Sequence, residues 1–370
     1  MISELTIDTL NYGNRLQAYA LNDYIEQKLD KNVVSLSLNF LCVKRIYYKV
    51  LQRVLNKLFK KNLGVVQIPT EVANLKNKRL QLCKEFTHKK NVLNLFSKKE
   101  LAVQTFESVI VGSDTVWVQN EFAINKLKFL SFKLKRPFKK FSYAASFGKN
   151  WIPEKNKKYI KKYLDDFTAI SVREKSSIEL LKSIGVENVV HVCDPTLLLT
   201  VEEWSSVAEP VEAIQDKYIF VYLLGKDVEQ RKSIQKLAKK YNLKIATIPH
   251  ADNVYNSVDD DFGDYKLMDA SPENWVWLIK NAEYVITDSF HGTIFSVIFS
   301  KRFIVINRCY TQDINIRMTD FLDTINEQDK FVDITEVESF EELIWDYEKI
   351  HRATGDFIEI SKMYLEKNLN

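Results

Sequence analysis

The chain has 370 residues, a hydrophobic fraction of 46%, 12% aromatic residues and a formal net charge of +4, which excludes disordered and low-complexity classes. Its length exceeds what one core usually spans, about 250–300 residues, so two domains are expected. No apolar run approaches the roughly 18 residues of a membrane-spanning helix, and the opening MISELTIDTLNYGN lacks a basic stretch followed by an apolar one, so the expected location is cytoplasmic.

Cys42, Cys83, Cys193 and Cys309 stand far apart with no CxxC spacing, which argues against a disulfide framework or a zinc site. In chain order, β-rich runs at 4–7, 33–38, 108–111, 141–146, 169–172 and 189–193 alternate with helical patterns at 15–29 and 175–184, the latter closed by Gly185 as a left-handed cap. The acidic, proline-bearing stretch 200–217 reads as a linker. The pattern then restarts with strands at 217–225, 243–248, 284–287 and 302–307 and helices at 229–241, 272–280 and 292–300, followed by a helical stretch at 340–369 expected to pack across the boundary.

This alternation predicts an α/β fold of two Rossmann-like domains facing a cleft. The expected division is 1–204, carrying a basic helical insertion at about 44–99, and 205–370. Charge is unevenly spread: from Lys44 to Lys99 there are fifteen Lys or Arg against the two acids Glu71 and Glu85, which leaves the rest of the chain net acidic. Residues 44–61, KRIYYKVLQRVLNKLFKK, put an apolar stripe opposite a wholly basic face. Such a helix suits peripheral contact with an anionic membrane surface, or packs its stripe on the protein's own core, and both readings stay open. Nucleic acid is not an expected partner, because no binding module accompanies the charge.

Ligands of open α/β sheets bind outside the carboxyl ends of the strands, and there the sequence turns small and polar. The first strand is followed by Asn11, Gly13 and Asn14, and the third by Gly112, Ser113 and Asp114. Ser146 and Gly148 follow the fourth, Arg173 the fifth and Asp194 the sixth. In the second half the apolar run YVITDSFHGTIFSVIFS breaks at Asp288, Ser289, Phe290, His291 and Gly292. Amides at a helix start carry partial positive charge and suit an anion, Gly292 is expected to let a ligand approach, and His291 can move a proton near neutral pH. Asp288 or Ser289 alternatively only caps the helix. Arg173 is placed to clamp a carboxylate or phosphate, or else pairs at the surface with Glu174 or Glu179. His250, after a strand, is a weaker candidate, and the run Asp259 to Asp261 reads as an acidic surface loop. No GxGxxG, Walker loop or HExxH is present.

The blocks NYGNRLQAYAL, VIVGSDTVW, SYAASFG, ISVREKSSIELLKSIG, DPTLLL, ITDSFHGTIFSVIFSKRFIVIN and NIRMTDFL together resemble the polysaccharide pyruvyl transferase family. The resemblance implies a GT-B-like fold and transfer of pyruvate from phosphoenolpyruvate to two hydroxyls of a saccharide acceptor, lipid-linked in one reading, as a cyclic ketal. It needs no cofactor or metal beyond that donor. It implies donor-site roles for Arg173 and His291; by its side-chain chemistry His291 is the expected general acid or leaving-phosphate stabiliser, and Asp114 the expected base or sugar-hydroxyl acceptor. Ser289, Phe290, Gly292 and Arg317 are the expected further donor contacts, and Asn11, Asn14, Ser113, Asp114, Ser146 and Asp288 the expected acceptor side. Ser289 stands where better characterised members carry an arginine. Two alternatives share these features: a GT-B glycosyltransferase using a nucleotide sugar, and a catalytically silent saccharide-binding homologue.

Overall fold

The computed structural model describes residues 1–5, 11–38, 68–118, 125–251, 255–308 and 312–369. The basic stretch 44–61, and with it the membrane reading, lies outside the described residues. Five parallel strands, β1 (Ile2–Leu5), β2 (Val33–Leu38), β3 (Val92–Leu95), β4 (Ser108–Val111) and β5 (Lys139–Ser142), form one sheet in the order β3-β2-β1-β4-β5. β6 (Ile170–Val172) and β7 (Val189–His191) pair with each other, and single bridges from Phe141 to Ala169 and from Ala145 to Val172 stitch them to the β5 edge. The second sheet holds β8 (Tyr218–Tyr222), β9 (Lys244–Thr247), β10 (Tyr265–Lys266), β11 (Tyr284–Thr287), β12 (Arg302–Ile306) and β13 (Phe331–Val332) in the order β10-β9-β8-β11-β12-β13. Both orders reverse beside their first strand, as in Rossmann sheets. The reversals fall between β1 and β4 and between β8 and β11.

The α-helices are α1 (Tyr12–Gln27), α2 (Thr70–Thr87), α3 (Lys98–Ala102), α4 (Glu154–Leu164), α5 (Ser176–Lys182), α6 (Val201–Val207), α7 (Val228–Lys240), α8 (Pro272–Asn281), α9 (Phe290–Ile298), α10 (Gln312–Thr324) and α11 (Tyr347–Leu369). Their starts follow local chemistry. The Asn11 side chain accepts from the Gly13 amide at the head of α1, and Thr200 with Glu203 forms a capping box on α6. Ser271 and Asn274 do the same for α8, with Pro272 in its first turn. No helix among the described residues is long and apolar enough to cross a membrane.

Two expectations change. The stretch 200–217 is no bare linker, because α6 buries Trp204 completely and the Trp204 indole donates to the Thr196 carbonyl at 2.8 Å. Nor is 44–99 wholly an insertion, since β3 forms the edge of the first sheet. That strand hid in a charged neighbourhood and shows only one buried residue, Leu95.

One core cluster runs through both lobes, from Leu16, Leu21 and Phe86 to Trp275, Phe295 and Phe303. Tyr12 of α1 stacks on Trp275 of α8 at 6.1 Å and donates its hydroxyl to the Ala270 carbonyl at 2.7 Å. Arg79 of α2 donates to the carbonyls of Pro249 and His250 at 3.1 and 2.8 Å. α11 returns to the first lobe as expected: Ser361 accepts from the Cys193 amide at 2.7 Å and Tyr364 donates to the Ser142 carbonyl at 2.9 Å. These apolar and hydrogen-bonded seams bring the two reversal points to one place.

Glu4 is buried within the first sheet. Its Oε2 accepts from Ser35 at 3.0 Å, and Ser35 accepts from Asn22 at 2.6 Å. Its Oε1 lies where a Cβ on Gly112 would sit 2.4 Å away, so a glycine is needed just before Ser113 and Asp114. Burial pushes this carboxyl up from 4.5 to about 8, against the opposing hydrogen bonds from Ser35 and Asn22. The unfolded chain therefore releases the Glu4 proton before the folded one does. The contribution of Glu4 to stability is greatest at low pH and falls by about 1.4 kcal/mol per pH unit as pH rises across that window. Unfolding of Glu4→Gln in urea between pH 5 and 8 should lack this slope; an unchanged slope would contradict the assignment.

Candidate active site

Asp114 ends the turn after β4 in a left-handed conformation, φ +70°, which aspartate tolerates better than most residues. Its main chain bridges to Ala145, and its carbonyl accepts from the Ser146 amide at 3.0 Å. Oδ2 accepts from the Asn14 side chain at 3.2 Å. Oδ1 stands 3.7 Å from Arg173 Nη2 and 3.8 Å from Arg317 Nη1. Burial favours the neutral acid, but Arg173, His291 and Arg317 outweigh it and hold the carboxyl below its ordinary range.

Arg173 leaves β6 directly into the interior, its side chain 2% exposed. Nη1 donates to Asp194 Oδ2 at 2.9 Å and to Ser113 at 3.4 Å, and Nε donates to Glu174 at 3.2 Å. The guanidinium carbon lies 4.2 Å from the centre of the Phe290 ring. The pairing with Glu174 is thus real but buried, while Glu179 is exposed and pairs with Lys182. As an anion clamp Arg173 is largely committed: two carboxylates occupy its fork, and only Nη2 lacks a hydrogen bond.

Asp194 is the residue whose role the sequence did not reveal. It follows β7, and its Oδ1 accepts from the Thr196 amide and hydroxyl at 3.0 and 2.8 Å. Its Oδ2 takes Arg173 and Ser113, the latter at 3.2 Å, and stands 3.5 Å from His291 Nε2. Burial opposes its charge, and His291, Arg173 and the Thr196 amide overcome that opposition, driving the carboxyl far below the ordinary range. One carboxylate therefore gathers Arg173 of the first lobe and His291 of the second. The imidazole is seated on Gly13, where a Cβ would lie 2.0 Å from Nδ1. The glycine of NYGN makes room for the other lobe's histidine.

Ser113, Asp114, Arg173, Phe290, His291 and Arg317 thus converge, with Asn14 beside them, while five other candidates serve local structure. Asn11 caps α1. Ser146 is buried and accepts from the Gly148 amide at 3.0 Å. Both oxygens of the buried Asp288 are taken by the amides of Leu224 and Gly225, at 2.8 and 2.6 Å, so it offers an acceptor sugar nothing. Ser289 caps α9, accepting from the Gly292 amide at 3.4 Å. Gly292 is required by packing rather than ligand access, since a Cβ there would lie 2.5 Å from Thr287 Oγ1. That leaves the Phe290 and His291 amides as the donors opening the helix.

His250 is buried, with Nδ1 3.4 Å from Asp259, and Asp259 is itself paired with Arg231 at 2.6 Å. Asp259 is therefore an interior residue and not part of a surface loop. Exposure rises from Arg173 and His291 toward Asp114, Arg317 and Arg308, whose side chains are 13%, 16% and 19% exposed, which marks the open side of the cluster.

By fold, the chain is similar to the UDP-GlcNAc 2-epimerase of Neisseria meningitidis solved with UDP-GlcNAc, at 13% identity, covering 100% of this chain and 94% of that one with a TM-score of 0.44. It is likewise similar to the UDP-N-acetylglucosamine 2-epimerase of Rickettsia bellii, at 12% identity, 100% and 98% coverage and a TM-score of 0.45. CalG4, the calicheamicin glycosyltransferase, matches at 10% identity, 100% and 96% coverage and a TM-score of 0.46. No curated protein matches by sequence. The model of the polysaccharide pyruvyl transferase family matches residues 11–310, a span holding the Asp114, Arg173, Asp194 and His291 cluster, and the chain belongs to that family.

Proposed function

We propose that this protein transfers the pyruvyl group of phosphoenolpyruvate to two hydroxyls of a saccharide acceptor, forming a cyclic ketal and releasing phosphate. The observation that carries this reading is the meeting of His291 and Arg173, from different lobes, on the Asp194 carboxylate at 3.5 and 2.9 Å. A proton carrier, fixed cations and the carboxylate Asp114 thus stand in one cluster, the set of groups that ketal formation from an anionic enol ester requires.

In the proposed sequence, His291 delivers a proton to the C3 methylene, which makes C2 an electrophile. The first sugar hydroxyl bonds to C2 and gives its proton to Asp114, which is ionised at neutral pH. The C2–O bond to phosphorus breaks, phosphate leaves with that electron pair, and the second hydroxyl closes the ring at C2. One hydroxyl proton replaces the one spent on C3 and the other leaves with phosphate, so the cycle is balanced. Arg317 and the 290–291 amides face the phosphoryl group, and Arg173 offers Nη2 while Asp194 and Glu174 hold it in place. Asp194 also orients the imidazole.

Incubation with phosphoenolpyruvate and hexopyranosides bearing neighbouring free hydroxyls tests the reaction. Phosphate release matched by a ketal methyl signal in the sugar is expected; glycosyl transfer from a nucleotide sugar instead would contradict it. His291→Ala should abolish ketal formation while its circular dichroism still shows a folded α/β protein, and full activity would remove His291 from the mechanism. Gly13→Ala, which drives a methyl into the imidazole, should lower kcat by about 100-fold or more, and wild-type turnover would show that the ring's seat is immaterial. Asp194→Asn strands Arg173 beside Glu174 and should cost about 3–5 kcal/mol in urea unfolding; a loss below about 1 kcal/mol would refute its bridging role.

A further inference from the structure

Arg308 lies just beyond β12, the strand adjoining β11, and its Nε and Nη2 donate to the Asp288 carbonyl at 3.2 and 2.7 Å. That carbonyl immediately precedes Ser289 and the start of α9. The main chain of Arg308 is fixed from two sides. Its amide donates to Asn315 at 3.3 Å, and its carbonyl approaches Gly225 so closely that a Cβ there would lie 2.6 Å away.

The charge so positioned is only partly paired where it stands, at 3.8 Å from the Asp288 carboxylate. The acceptor it grips is a neutral carbonyl, and that carboxylate already takes two amides. Nη1 of Arg308 makes no hydrogen bond among the described residues. Arg317 is similarly uncommitted: its Nε is buried without a partner, and Nη1 reaches Asp114 only at 3.8 Å. Burial, and then repulsion from Arg173 and Arg308, push the Arg317 guanidinium down to about 10. Asp114 Oδ1 joins Arg317 to Arg173, and Arg308 grips the main chain two residues before Phe290, whose ring lies against Arg173; of the three, the inner arginine alone is tightly paired. Crowded cations are stabilised by an anion that several can share, and planar guanidiniums match phosphoryl oxygens in two-point contacts.

We propose that Arg308 and Arg317 form a two-guanidinium fork for a phosphomonoester group, with Arg308 supplying at the turn the positive charge that Ser289 does not. This rests on the donor reading above and assigns the phosphate end to the outer arginines rather than to Arg173. The fork faces the exposed side of the cluster, so released phosphate has a way out while the acid His291 stays enclosed.

The test uses the full chain, inorganic phosphate as probe, and phosphoenolpyruvate as substrate. Arg308→Gln should weaken phosphate binding by calorimetry and raise KM for phosphoenolpyruvate, each by about tenfold or more, as expected for losing one charge-assisted contact. Arg308→Lys should restore part of both and confirm that the fold survives. Phosphate binding by Arg308→Gln equal to wild type, or no phosphate binding by wild type, would overturn the fork. Arg308-dependent phosphate binding in a wild-type protein that forms no ketal would keep the fork and overturn the pyruvyl-transfer reading instead.

Discussion

The structure depends on one buried carboxylate. Asp194 sits where the ends of both sheets meet and is wholly enclosed, so its charge persists only because Arg173, His291 and Thr196 surround it. An unpaired ion there would cost several kcal/mol. Bringing the lobes together is therefore coupled to assembling the site: the histidine reaches Asp194 only when α1 of the other lobe presents Gly13 to receive its ring. The apolar seam of Tyr12, Trp275 and Phe295 supplies the adhesion that holds this pairing.

Around that centre the charged groups divide by depth. Arg173, Asp194 and Glu174 are nearly sealed and strongly paired, and act as a framework. Asp114 and Arg317 lie outward with longer contacts, Asp114 standing 3.7 Å from Arg173 and 3.8 Å from Arg317, and Arg308 lies outward with its Nη1 uncommitted among the described residues; these are the groups proposed to exchange partners with a substrate. Beneath them Glu4 presses against Gly112, setting the turn that carries Ser113 and Asp114. Two glycines, Gly13 and Gly112, thus shape the site through contacts a side chain would obstruct.

Much of this was legible in the sequence. The strands IFVY and YVIT read as apolar runs because parallel strands are buried on both faces, and the polar breaks after them pointed to the sheet edge where Asp114, Arg173 and His291 meet. Less legible were features set by tertiary neighbours. Nothing near VLNL announces an edge strand among lysines. Asp194 was visible as a strand-end residue, but its bridging depends on His291, 97 positions later. Gly292 suggested ligand access when its real neighbour is Thr287, and Arg308 gains meaning only because β12 lies beside β11.

The central claim is that a phosphorylated enol is held between the lobes at this cluster. A crystal structure of the protein with phosphoenolpyruvate tests it most directly. The account predicts the phosphoryl group against Arg317, Arg308 and the 290–291 amides, with C3 within reach of the His291 ring. Donor bound away from His291, with Asp194 and its partners untouched, would contradict it.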